Sequence, residues 1–136
     1  MAENRYVNFV EALIQKTKNH DLVWKYLDEY PDLCRKMGWF RKVADPNNLL
    51  IQKEVPEFNS ESSFYAHDAG FRIVLYVYAN LPADLYIIPS TYKRVLPLHA
   101  SDYGEYITRL LNLVQSHFPD SEEYVDKLLK ASEPTK

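Results

Sequence analysis

Apolar and polar residues follow helical spacing in the first third of the chain. The first helix is predicted by apolar residues three or four apart, namely Tyr6, Phe9, Val10, Leu13 and Ile14. Asn4 is a suitable N-cap for it. A second helix is expected from Asp21, as its cap, and the apolar positions of residues 22–30, and Pro31 begins a third that ends before Gly38. Residues 1–45 are therefore predicted to form a helical section.

The middle of the chain has the pattern of β-strands. The runs are NLLIQKEV, SSFYAHDAG, FRIVLYVYA and DLYIIPS, and YKRVLPL is a candidate for one more. Turn-forming residues separate them, including Asp68 and Gly70 at the end of the second run. Residues 46–98 are therefore predicted to form an antiparallel meander of four to five strands.

Helical spacing returns in residues 101–131. Asp102 and Glu105 have the spacing of a capping box before a long apolar face, and Asp120 and Glu123 repeat it. The predicted fold class is therefore α+β, with N-terminal helices and one or two C-terminal helices packed on the meander. A chain of 136 residues fits a single domain, so residues 1–136 are expected to form one.

The strand predicted over FRIVLYVYA is apolar on both faces. Side chains alternate along a strand, so Ile73 and Leu75 share one face, while Arg72, Tyr76 and Tyr78 share the other. A half-solvated strand would place clearly polar residues on its outer face. Both faces must therefore be covered, and the cover for the tyrosine-bearing face is either residues 21–37, a second copy or a protein partner.

Tyrosine supplies large contact area at low conformational cost and is enriched at protein interfaces. Tyr86 on the neighbouring predicted strand extends the same surface. The predicted partner-binding residues are Arg72, Tyr76, Tyr78 and Tyr86. The chain is accordingly expected to be a non-catalytic protein-interaction or regulatory module that binds a protein partner or itself.

The stretch RKMGWFRK, residues 35–42, suggests nucleic-acid binding as an alternative, because cations alternate with aromatic rings. The candidate residues are Arg35, Lys36, Trp39, Arg41 and Lys42. Two observations favour a local explanation. The chain carries a net charge of −3, unlike a dedicated DNA-binding domain. In addition, a left-handed Gly38 at a helix end would pack Trp39 on the last turn, where cations are also stabilised.

Residues for catalysis are sparse. The three glycines are far apart, and neither a nucleophile elbow nor a zinc-binding His-Glu-x-x-His motif is present. A turn explains His67 and Asp68, and burial on a helix explains Cys34. An unrecognised hydrolase-type enzyme is kept as a further alternative, because distant residues can converge in a fold. No catalytic residue, cofactor or metal ligand is predicted.

Cellular location is indicated by the cysteine content and by the amino terminus. Cys34 is the only cysteine, so an intramolecular disulfide is excluded, which is typical of reducing compartments. Charge at Glu11 and Lys16 interrupts the N-terminal segment before an apolar run could span a bilayer. A cytoplasmic protein without membrane contact is therefore expected.

Leu13, Lys16, Thr17 and Trp24 form a Leu-x-x-Lys-Thr pattern followed by a tryptophan, ahead of SSFYAHDAGFRIVLYVY in the position of a first hairpin. This order resembles small uncharacterised bacterial proteins built from a helix, a β-meander and a C-terminal helix. The helical segment predicted around residues 25–45 departs from that pattern. The resemblance implies a small regulatory or interaction protein of bacterial or mobile-element origin and implies no catalytic residues.

Overall fold

Helices cover both faces of an antiparallel sheet in the computed structural model, which describes residues 4–118 and 121–132. The elements in chain order are α1 (Arg5–Lys18), β1 (Trp24–Tyr26), a 3₁₀ turn (Leu27–Glu29), α2 (Pro31–Met37), β2 (Phe40–Asp45), β3 (Asn48–Pro56), β4 (Phe64–Asp68), β5 (Phe71–Tyr76), β6 (Asp84–Pro89), β7 (Leu96–Leu98), α3 (Ala100–Ser116) and α4 (Ser121–Ser132). The predicted α+β class is confirmed.

The main sheet has five antiparallel strands in the order β1-β4-β5-β6-β7. At its centre Ile73 lies between Ala66 of β4 and Ile87 of β6. The β4–β5 turn has positive φ at Ala69 (52°) and Gly70 (81°). Two such residues in succession define the tight turn whose twist matches that of the flanking strands, so the predicted turn is confirmed.

The helix predicted over residues 22–30 is wrong. Residues 24–26 are strand β1, in which Trp24 pairs with Ala66 and Tyr26 with Phe64, and a 3₁₀ turn follows. Trp24 and Tyr26 are two residues apart and point to the same side of the sheet, where both pack in the core. Burial of two aromatic side chains at strand spacing therefore outweighed the helical pattern.

The strand predicted near Leu50 does not join the main sheet. It is β3, which pairs with β2 in a separate two-stranded sheet, so residues 40–45 of the predicted helical section are also a strand. The root of this hairpin is the pair Phe40 and Pro56. The backbone N–H of Glu57 donates to the Trp39 carbonyl at 2.8 Å, which closes the hairpin onto the rest of the molecule.

Each face of the main sheet has its own hydrophobic core. On one face α1 and α3 pack against β5 through residues such as Val10, Leu75 and Ile107. The other face is covered by an internal layer made of Leu27, Leu33, Cys34, Trp39 and Phe58, which packs on Val74 and Ile88. The inference that both faces of β5 are covered is confirmed, and the layer that covers the tyrosine-bearing face comes from the chain itself.

Two helix ends agree with the sequence and a third does not. The Asn4 side chain caps α1 by accepting from the Tyr6 amide, and Gly38 ends α2 with φ 73°. Helix α3 was expected to begin after Asp102 but begins at Ala100, whose amide donates to Asp84 Oδ1 at 2.8 Å. The backbone is non-helical at Tyr103, directly after the predicted cap. The cap predicted at Asp120 lies outside the described residues.

The residues of the Leu-x-x-Lys-Thr…Trp pattern fasten α1 to the sheet. The Thr17 hydroxyl donates to the Leu13 carbonyl at 2.7 Å and accepts from Trp24 Nε1 at 3.0 Å. Lys16 forms an ion pair with Asp68 in the β4–β5 turn. The pattern therefore has a structural role in this chain, since it joins one helix to two parts of the sheet.

Candidate interaction site

Two of the predicted partner-binding tyrosines lie beneath an internal aromatic layer. Tyr76 and Tyr86 are half-buried, and their ring centroids are 4.9 and 5.4 Å from that of Trp39. Burial raises the pKa of Tyr76 to about 12, and the Glu57 carboxylate adds to the effect. Burial, assisted by Asp84, also raises the pKa of Tyr86. These phenols therefore pack mainly within the molecule.

The ring of Tyr92 is contacted by Arg72 and by Lys36 of the basic stretch. The Arg72 guanidinium lies 4.6 Å from the ring centroid, and Lys36 Nζ lies 4.5 Å from it. Arg72 also donates to the Pro89 carbonyl at 3.4 Å and is half-buried. Sequence reasoning missed Tyr92, which follows the predicted strand DLYIIPS and has a positive φ of 60°.

Tyr78 is the exposed member of the tyrosine set. It follows the end of β5, and 54% of its surface is accessible. It lines an open cleft of about 480 Å³ together with Arg41, Glu57, Phe58, Asn59, Ala79 and Asn80. The fold therefore brings together Tyr78, from the predicted partner-binding set, and Arg41, from the basic stretch.

The other residues of the stretch 35–42 do not share one surface. Arg35 pairs with Asp32 at 3.0 Å and with Glu54 at 2.7 Å, and its pKa is raised chiefly by Glu54. Trp39 is buried, so its ring is not available for stacking on a nucleic-acid base. Lys42 is exposed on β2. All four cations of the stretch are exposed, but within the part of the chain that the structure describes only Arg41 and Lys42 make neither an ion pair nor a cation–π contact.

The β2–β3 ladder contains an irregularity near its tip. Ala44 pairs with Gln52 in the register. The next residue of β2, Asp45, pairs with Asn48. Residues 49–51 therefore form a bulge without register partners on β2. Bulges of this kind redirect side chains and are common at functional surfaces.

The three bulge residues, Leu49, Leu50 and Ile51, make up the hairpin tip. The exposed fractions of its three side chains are 78%, 95% and 52%. Local hydrogen bonds hold the neighbouring turn, since Asn48 Oδ1 accepts from the Leu50 amide at 3.1 Å. Sequence reasoning predicted only a strand here. The signal it missed was the failure of alternation after Asn47-Asn48, where three large apolar residues follow in succession.

The charged groups that the β2–β3 hairpin leaves available to a partner are positive. Its carboxylates are engaged locally, because Glu54 pairs with Arg35 and Asp45 Oδ1 accepts from a backbone amide in the turn. Within residues 4–118 and 121–132, its three cations form no ion pair; they are Arg41, Lys42 and Lys53. The hairpin thus combines an apolar tip with basic strands.

The state of the Cys34 thiol and the grouping of possible metal ligands bear on covalent and metal chemistry. Cys34 is buried, and burial raises the pKa of its thiol to about 12, with Asp28 contributing. No three His, Cys, Asp or Glu side chains in residues 4–118 and 121–132 lie together in a group that could hold a metal ion. In the same part of the chain, no helix has the length and apolar character needed to cross a bilayer.

No family model, no curated protein and no solved structure matches this chain. Its function therefore has to be inferred from its own residues. The features that stand out from the packed body are the hairpin tip, the basic strands that carry it, and the cleft between Arg41 and Tyr78.

Proposed function

We propose that this protein is a non-catalytic protein-interaction module whose partner contact is the hairpin tip together with the Arg41–Tyr78 cleft. The observation that carries the proposal is the bulge at residues 49–51, which exposes three consecutive large apolar side chains. Single exposed apolar residues are ordinary on a protein surface, whereas a contiguous group marks a binding site. The contact is therefore expected to centre on Leu50.

Energetics favour an occupied hairpin tip. A two-stranded hairpin is only marginally stable by itself in water. Full burial of a leucine or isoleucine side chain is worth roughly 1.5–3 kcal/mol relative to exposure. A partner that covered the three residues of the tip would therefore stabilise both the complex and the hairpin.

The cleft supplies the residue types that interfaces use at their centre and rim. Tyrosine and arginine are enriched among residues that dominate binding energy. Tyr78 is more than half exposed, and Arg41 lies on the same hairpin as the tip. Glu57, Asn59 and Asn80 add hydrogen-bonding groups around the cleft. An apolar centre with a polar border is the usual composition of a protein interface.

A regulatory role in a bacterial or mobile-element setting is part of this proposal. It is supported by the resemblance carried by Leu13, Lys16, Thr17 and Trp24. A cytoplasmic location is also part of it. The support is that a chain with one cysteine, Cys34, forms no intramolecular disulfide, as is typical of reducing compartments.

Site-specific photo-crosslinking tests the proposal. A benzophenone amino acid replaces Leu50 in the full chain expressed in its host cells, and the same amino acid at Asn112 serves as the control. Asn112 is exposed on α3, which packs on the opposite face of the main sheet. We expect a discrete crosslinked species at position 50 that is absent at position 112.

Serine at the neighbouring positions sharpens the test. Leu49→Ser with Ile51→Ser keeps the probe in place but removes the apolar contact beside it, so the crosslinked species should weaken by roughly tenfold or more. Thermal melts of each variant establish that the fold is intact. Equal crosslinking at positions 50 and 112, or none at position 50, would contradict the proposed function.

A further inference from the structure

We infer that the occupant of the hairpin tip is helix α4 of a second copy of this chain. Two copies would then exchange α4 reciprocally, each helix lying along the partner's β2–β3 hairpin. The inference rests on the proposed interaction role of the hairpin and names its partner. It is carried by three independent properties of α4: its exposed apolar stripe, its length and the charge on its flank.

Helix α4 exposes an apolar stripe. Its members and their exposed fractions are Tyr124 (66%), Val125 (44%), Leu128 (55%) and Leu129 (60%). They form two adjacent pairs that lie four residues apart, about one helical turn, and so share one side of the helix. Every residue from 122 to 131 is exposed. A helix of 12 residues is marginal in water and gains most of its stability by packing such a stripe, so α4 needs a surface to lie on.

The dimensions of the two elements match. Twelve residues of helix span about 18 Å at 1.5 Å per residue. Strand β2 has six residues and spans about 20 Å at 3.3 Å per residue. A helix laid along the ribbon would therefore cover it from root to tip.

The charges beside the two apolar surfaces are opposite. Glu122 and Asp126 lie one turn apart on α4, next to Val125 and Leu129 on the helix surface. The hairpin presents Lys53 two residues beyond the tip and Arg41 on the other strand, and the register places both on the same face of the ribbon. Complementary charge of this kind sets the register of a contact and selects the partner.

A second copy accounts for both exposed surfaces at once. In a single chain the hairpin tip and the α4 stripe are both accessible, so α4 does not lie on its own hairpin. A foreign partner at the tip would leave the stripe exposed. Reciprocal exchange makes two identical contacts around a twofold axis and covers both surfaces, which is the closed arrangement usual for dimers.

Light scattering and sedimentation on the full chain test the inference. We expect the parent protein to be a dimer. Leu50→Asp on the tip and Val125→Asp on α4 should each raise the dimer dissociation constant by roughly tenfold or more, since each places a charge in an apolar contact. Lys25→Glu, a charge reversal at an exposed site on β1, is the matched control and should leave the constant unchanged. Circular dichroism melts confirm folding of each variant.

Mixing the two variants distinguishes reciprocal exchange from other dimers. A heterodimer of Leu50→Asp with Val125→Asp retains one intact contact, between the hairpin of the second and α4 of the first. Fluorescently labelled variants should therefore associate with each other more tightly than either associates with itself. A charge exchange provides a second readout. Lys53→Glu and Asp126→Lys should each weaken the dimer, and the double variant should recover it.

Three outcomes would overturn the inference. A parent that stays monomeric at roughly 1 mM protein while position 50 crosslinks to a different protein would refute the second copy and leave the proposed function standing. A dimer indifferent to both aspartate variants would assign self-association to another surface. A monomeric parent without any crosslink at position 50 would overturn the inference and the proposed function together.

Discussion

The Thr17 hydroxyl links a helix to a strand through a completely buried position. It donates to Leu13 and accepts from the indole N–H of Trp24, and Thr17 is 0% exposed. Thr17→Val keeps the shape of the side chain but leaves the indole N–H without an acceptor. An unsatisfied buried donor costs about 1–3 kcal/mol, so the free energy of unfolding in urea should fall by that amount.

Two further variants test this explanation. Thr17→Ser preserves the hydroxyl and should lose distinctly less stability than Thr17→Val. Combining Thr17→Val with Trp24→Phe removes donor and acceptor together, so its loss should be smaller than the sum of the single losses. Additive losses in the double variant would show that packing, rather than the hydrogen bond, explains the effect.

A helix or strand was predictable from the sequence where all of its local signals indicate the same structure. Pro31 at the start and Gly38 at the end delimit α2 correctly, because fixed φ and freedom at positive φ are properties of the residues themselves. Strand β1 was not predictable in this way. The apolar residues around Trp24 fit helical spacing, and strand pairing with β4 depends on residues about 40 positions further along.

The candidate site was only partly predictable, for the same reason. Tyr78 and Arg41 were both expected to be functional, but in two separate surfaces. Their meeting at one cleft follows from the closure of the β2–β3 hairpin onto the body at Trp39 and Glu57, which local patterns do not encode. The bulge at residues 49–51 is a property of the strand pairing, so the sequence indicates its apolar residues but not their exposure.

Deletion of the hairpin tip tests whether the tip acts as an exposed contact rather than as part of the packed fold. Deleting residues 49–51 joins Asn48 directly to Gln52, whose partners Asp45 and Ala44 are already adjacent on β2. A regular ladder should result. Because the deleted side chains are exposed, the free energy of unfolding should change by less than about 0.5 kcal/mol, while the contact made by the tip should be lost.

Urea unfolding and the crosslinking experiment, with the probe at Tyr78, measure the two effects separately. A large loss of stability on deleting residues 49–51 would show that the tip is packed within the protein and would contradict its role as an exposed contact.

At the scale of the whole molecule, the covered tyrosine face makes stability sensitive to alkaline pH. Burial raises the pKa of Cys34 from 9.0 to about 12 and that of Tyr76 from 10.0 to about 12. The folded state therefore favours the neutral thiol and phenol. The two neutral groups stabilise the folded state fully below pH 9. This stabilisation declines as pH rises toward 12, because the same thiol and phenol ionise at lower pH in the unfolded chain.

The urea concentration at the midpoint of unfolding should accordingly decrease as the pH rises from 9 to 12. Cys34→Ala combined with Tyr76→Phe should flatten that decline, leaving the part due to Tyr65 and Tyr86, whose pKa values burial also raises. An identical slope in the parent and the double variant would contradict the assignment.

The closure of the hairpin at its root has a consequence for how such a chain can diversify. The chain leaves the body at Trp39 and re-enters it at Glu57, and one backbone hydrogen bond spans the gap. A segment that is anchored only at its root can be replaced by another segment without altering the rest of the fold. Its length and side chains can drift without changing any strand register in the main sheet. New specificities can therefore evolve on a framework that stays constant.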